Sequence, residues 1–151
     1  MRYMGNLYDY FSAPDDPAAL AACAQGVEEA GLPLLPVKGI DPYVQLGQAE
    51  SMLTGTPYDD VTSLPRFNRL LSSPDDESRW LVTLTDELRD ALVAAIPGGF
   101  AEVAETWSRI EEFGGDCPPG DLAGFLAGLA DLAEEARTRP EPHRLYCLMS
   151  L

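Results

Sequence analysis

The segment from 121 to about 137 constrains the fold more than any other. Leu122, Phe125, Leu126, Leu129, Leu132, Ala133 and Ala136 recur every three or four residues over several turns. A helix with so wide an apolar stripe needs a second apolar layer to lie against. Asp121, after Pro118-Pro119-Gly120, is expected to cap it, and 144–150 reads as a terminal strand.

Upstream, the aromatic-rich segment 3–11 reads as a first strand. Asp15 and Asp16 with Pro17 then start a helix that Gly31 is placed to end. The apolar run 32–37 is broken by Pro33 and Pro36, which suits only a sheet edge. Asp41 and Pro42 open a helix running to Leu53 and stopping at Gly55. The polar stretch 56–76 predicts only short surface turns of helix, over 57–61 and 65–71. The strand 80–84 leads into Thr85, a capping residue with Asp86 and Glu87 behind it, and that helix runs to Ala95. Phe100, Val103, Ala104, Trp107 and Ile110 keep helical spacing, with Phe113 before the Gly114-Gly115 stop. This order predicts a single α+β domain over 1–151, a small mixed β-sheet of about four strands packed against about five helices. The first and last strands are expected to pair at the sheet centre.

Charge narrows the partners. Asp and Glu number 25 against 10 Lys and Arg, a net charge of −15. A phosphate backbone would be repelled without a basic stripe, and the arginines are scattered among acids, so no nucleic-acid partner is expected. The acidity serves solubility or favours a basic protein partner. Cys23, Cys117 and Cys147 lack regular spacing and read as reduced thiols, which points to the cytoplasm. No stretch has the length of apolar sequence that a membrane span needs, so no membrane partner is expected. Lys38 as the one lysine beside nine arginines, with abundant Ala, Gly and Pro, suggests a GC-rich bacterial source.

No sequence pattern specifies a reaction, and the catalytic residues stay unassigned. There is no GxSxG elbow, and a strand spacing of four residues holds His143 and Cys147 too far apart for a direct pair. His143 reads as a surface histidine beside Pro142. The adjacent acid pairs lack the spacing of a calcium loop, and no phosphate-cradling glycine motif occurs, so neither metal nor cofactor is expected.

Two constellations remain as binding candidates. Lys38, Asp41, Gln45 and Gln48 sit at a strand-to-helix junction, where a cation and a helix start could receive an anionic group. The bland alternative is a lysine paired with Asp41 and glutamines facing water. Trp107 with Glu111 and Glu112 could form an aromatic–carboxylate patch for a cationic ligand, since Trp107 and Glu111 stand four apart. Its alternative is a tryptophan belonging to the core stripe.

Short motifs carry a family resemblance. Met4-Gly5-Asn6 before the first strand, Leu53-Thr54-Gly55 closing a middle helix, the Trp-led strand near 80, and a long helix followed by a short strand resemble the YfbM-like family of uncharacterised bacterial proteins. Lys38-Gly39-Ile40-Asp41-Pro42, Gln45-Leu46-Gly47-Gln48 and Trp107 with Glu111-Glu112-Phe113 are similar to actinobacterial members of that type. The resemblance implies a compact α+β domain and no particular activity. The expectation is a non-enzymatic protein-binding module, immunity- or antitoxin-like, neutralising a basic partner. The alternative is a small-molecule-binding protein or enzyme with a pocket between sheet and helices.

Overall fold

Alternating apolar side chains build a four-stranded sheet in the computed structural model, which describes residues 7–150. Met4-Gly5-Asn6 and the expected beginning of the first strand lie outside the described residues. β1 (Leu7–Ala13), β2 (Leu34–Lys38), β3 (Arg79–Thr83) and β4 (Arg144–Ser150) stand in the order β2-β1-β4-β3. Tyr8, Tyr10, Val82, Leu145 and Cys147 serve one core, and Phe11, Ala13, Leu81, Tyr146 and Leu148 the other, as a period of two requires.

The first and last strands do pair at the centre, from Leu7 opposite Ser150 to Ala13 opposite Arg144. β2, with Pro36 in its middle, lies at an edge as its prolines predict. The sheet is not mixed, because every pairing is antiparallel. The connection from β1 to β2 explains part of this. Phe11 faces Leu34, so the chain returns to the end of β1 that it left, and the two strands must run in opposite directions.

Among the described residues six α-helices accompany the sheet: α1 (Asp16–Gln25), α2 (Gln45–Thr54), α3 (Tyr58–Val61), α4 (Asp86–Ala95), α5 (Ala101–Trp107) and α6 (Pro119–Thr138). The fold is therefore α+β. α6 crosses β1, β2 and β4 and meets α4 and α5, whereas α1 packs on the opposite face against β1. Every member of the predicted α6 stripe is buried. Its start differs from expectation: Pro118 occupies the cap position and Asp121 lies in the first turn, because Pro119 is already helical. α1 stops at Gln25 rather than Gly31, since Gly26, at φ 109°, leaves helical geometry first. Segment 65–71 is not helical. Its later part runs along β3, with a bridge from Leu70 to Val82. Among the described residues no helix is long and apolar enough to cross a membrane.

Candidate functional site

The two sequence constellations meet at one groove. The turn from β2 into α2 forms one wall, the 3₁₀ turn Glu111–Phe113 with the following loop forms another, and the first turns of α6 close the third. Asp41 organises the first wall. Its carboxylate accepts the Tyr43 and Val44 N–H groups at 2.8 and 2.7 Å and so closes the turn ahead of α2. The helix starts later than the sequence predicts, at Gln45 rather than Pro42, with Val44 in the cap position and no side-chain cap. The Gln45 side-chain oxygen reaches back to accept the Asp41 N–H at 2.7 Å. Each end of the turn thus satisfies a donor of the other, as in a capping box.

Gln45 also ties the walls together. Its amide nitrogen donates to the Glu112 carbonyl over 3.4 Å, and its own carbonyl accepts the Trp107 indole N–H at 2.8 Å. Beneath them the Tyr10 hydroxyl donates to the Ile40 carbonyl at 2.7 Å, and its ring meets Phe125 edge-on at 5.4 Å. The resulting groove has a volume of about 380 Å³. Ile40, Phe113 and Phe125 supply its apolar base, and Lys38, Glu112, Asp116 and Asp121 its charge. Three acidic residues and one lysine thus line the groove, and all four are exposed. The Lys38 ammonium makes no hydrogen bond or ion pair with another described residue, Asp41 included.

The structure separates the seven predicted binding residues. Lys38, Gln45 and Glu112 line the groove, while Asp41 and Trp107 hold its walls from behind. Gln48 is half-buried on α2 and Glu111 exposed on the 3₁₀ turn, and neither lines the groove. Two readings need correction. Trp107 is fully buried against Phe113, so it forms no exposed patch with Glu111; α5 ends at Trp107, and helical spacing no longer relates the two. Gln45 does not face water: it is buried, and its side-chain amide is bonded to the Asp41 N–H and the Glu112 carbonyl. Sequence reasoning missed Asp116, Cys117 and the Phe125 edge. Asp116 follows a glycine pair and resembled ordinary loop, and Phe125 was visible only as core.

A separate aromatic group follows the Asp41 turn. Tyr43 is 52% exposed and packs edge-on against Phe67, and the Tyr58 hydroxyl donates to the Tyr43 carbonyl at 3.3 Å. Desolvation raises the Tyr58 phenol above its ordinary value, and Tyr43, Asp41 and Glu112 add to the shift by charge. Desolvation, then the charge of Asp121, pushes the Cys117 thiol up, away from a reactive thiolate.

Other polar clusters are interior. His143 is buried rather than on the surface, with Nδ1 3.0 Å from the Ser12 hydroxyl and its carbonyl receiving Arg89 at 2.9 Å. Ser12 has no exposed surface, so this pair joins β1 to the chain before β4 and offers no nucleophile to a substrate. Asp16 accepts both Arg66 nitrogens at 3.1 and 3.0 Å and the Tyr146 hydroxyl at 2.6 Å. That fork pins α1 to the opposite face of the sheet. Cys23, Cys117 and Cys147 are free thiols. Among the described residues no group of three or more His, Cys, Asp or Glu side chains could hold a metal ion. No protein-family model matches the sequence, and neither curated proteins nor solved structures give a match.

Proposed function

We propose that this protein is a non-enzymatic binding module of a bacterial cytoplasm that neutralises a basic protein partner, as immunity proteins and antitoxins do. One observation carries the reading. An open groove with phenylalanines among its lining residues carries Glu112, Asp116 and Asp121, and Lys38 is the one cationic residue that lines it. A guanidinium or ammonium group entering it would meet carboxylates at the rim and aromatic carbon beneath, the two surroundings that favour a desolvated cation. The net charge of −15 acts in the same direction at longer range, speeding encounter with a basic surface. Tyr43, 52% exposed on the turn that Asp41 closes, is of a residue type enriched at interfaces. Kinship with the YfbM-like family, proposed on the short motifs above, adds no activity to this reading.

The alternative, a small-molecule-binding protein or enzyme, draws on groove size, since about 380 Å³ falls within the range of small-ligand sites. The two readings separate in one experiment. A basic protein captured from native extract should bind rapidly at low salt and lose affinity steeply as salt rises. Glu112→Lys with Asp116→Lys should abolish that binding, while Glu111→Lys, outside the groove, should weaken it only slightly. Equal losses from groove and control variants would reject the groove as the docking site. Capture of no basic protein would favour the small-ligand reading.

A further inference from the structure

We propose that the outer edge of β2 receives an extended, basic segment of the partner as a fifth strand, and that one of its cationic side chains enters the acidic groove. The inference rests on the reading above and names how the partner docks.

The hydrogen-bond alternation of the sheet identifies the open edge. The Ser12 N–H donates to the Pro33 carbonyl at 3.3 Å, on the register that pairs Tyr10 with Leu35 and Tyr8 with Val37. In an antiparallel pair the inward and outward residues alternate, so Leu34, Pro36 and Lys38 turn their backbone groups away from β1. The same rule, applied to β3, turns Leu81 and Thr83 outward, and there the groups are satisfied. The Leu81 carbonyl accepts the Leu71 N–H at 2.8 Å, the Leu81 N–H reaches the Ser72 hydroxyl at 3.0 Å, and Thr83 exchanges bonds with Arg69 and Asn68. No described residue does this for β2. The N–H groups of Leu34 and Lys38 and the carbonyls of Leu34, Pro36 and Lys38 present a short template for strand addition. Pro36 removes one donor from the middle, which shortens the edge without closing it.

α6 leaves room for the added strand. Gly128 lies over Leu35, whose methyl carbons would be 3.5 Å from an added Cβ, and Asp121 shares the groove wall with Lys38. The turn holding Gly124 therefore passes beside the middle of β2. Gly124 is exposed, and a Cβ there would meet no atom within 4 Å. Packing does not require glycine at this point, although glycine weakens a helix interior. The missing side chain keeps open a channel on the side of the sheet to which Leu35 and Val37 point.

Charge selects the occupant. The channel ends at Val37, Lys38 and Gly39, which are also groove residues. A side chain opposite Val37 and directed toward α6 would approach Asp121 and Asp116, so arginine or lysine fits there. A second copy of this chain fits poorly, because each copy brings a charge of −15 to the contact.

The test uses the full chain and a short blocked peptide of alternating arginine and valine. Two further analogues carry N-methyl groups on one or the other alternate set of amides. On binding the parent peptide, amide exchange at Leu34 and Lys38 should slow by about tenfold or more, with β3 amides unchanged. Methylation of one alternate set should weaken binding by about tenfold and of the other set far less, since only one set faces β2. Gly124→Leu, checked for native circular dichroism, should weaken the parent peptide similarly by filling the channel. If both methylated peptides bind like the parent while the groove charge reversal still abolishes binding, strand addition is wrong and the groove reading survives. If the charge reversal has no effect on a peptide that does protect Leu34 and Lys38, the groove reading fails by itself. Absence of peptide binding at low salt, or protection of those amides by self-association without peptide, would overturn the proposal.

Discussion

Among individual residues, Glu50 stands apart from the groove acids because it is interior. It is 2% exposed, and its partner is the Thr85 hydroxyl, which donates to it at 2.6 Å while accepting the Leu88 N–H at the start of α4. Desolvation raises its carboxyl to about 7; the Thr85 bond opposes the shift and the charge of Glu87 adds to it. The folded protein therefore holds this proton at a pH where the unfolded chain has released it. The associated stability is fully present below the ordinary glutamate value and is lost as pH rises toward 7. Glu50→Gln keeps an acceptor for Thr85 but cannot ionise. Relative to the native protein it should gain about 2–3 kcal/mol between pH 4 and pH 8, read from urea unfolding at several pH values. A pH-independent difference between the two would reject this account.

At the level of elements, α6 and α2 show two opposite reasons for a helical glycine. In α2, a Cβ on Gly47 would lie 2.9 Å from Tyr58 Cε1 and 3.1 Å from Phe67 Cζ, so glycine permits a close approach. In α6, Gly124 faces open space. Alanine should therefore destabilise at position 47, whereas at position 124 it should stabilise by about 0.5–1 kcal/mol through a less flexible unfolded chain. The α6 stripe gives a third comparison. Leu129 has no exposed surface, and Leu129→Ala should cost about 2–5 kcal/mol, the usual loss for a buried leucine truncated to a partial cavity. Denaturant titration of the three variants checks all of these, and near-native behaviour of Leu129→Ala would show that α6 does not carry the main core.

For the whole molecule, the central position of β4 matters most. Leu145 and Cys147 enter the larger core, Tyr146 and Leu148 the smaller, and the strand joins β1 to β3. Both cores thus depend on the last segment of the chain. Removal of residues 144–151 withdraws those side chains and splits the sheet, a loss that exceeds the about 5–15 kcal/mol by which domains are usually stable. The truncated chain should show no cooperative thermal transition by circular dichroism. A sharp melt close to that of the full chain would mean that helices α2 to α6 form a stable unit without the sheet centre.

Local chemistry made much of this molecule legible in the chain itself. The α6 stripe follows from side-chain period, the Thr85 cap from a hydroxyl ahead of acids, the Gly55 stop from its left-handed geometry at φ 74°, and the edge position of β2 from Pro36. Each depends on neighbours within a turn or so of helix or strand. The α+β class and the pairing of β1 with β4 were also within reach, because few strands alternate with many helices. Long-range geometry decided the rest. The antiparallel direction of every strand depends on where each connection returns, and the joining of Lys38, Gln45 and Glu112 in one groove depends on the bond from Trp107 to Gln45, 62 residues apart in the chain. Periodicity placed Trp107 on a helix but could not say whether its indole would meet water or a buried carbonyl. That choice belongs to tertiary packing, because an indole N–H taken from water must find an acceptor wherever the fold supplies one.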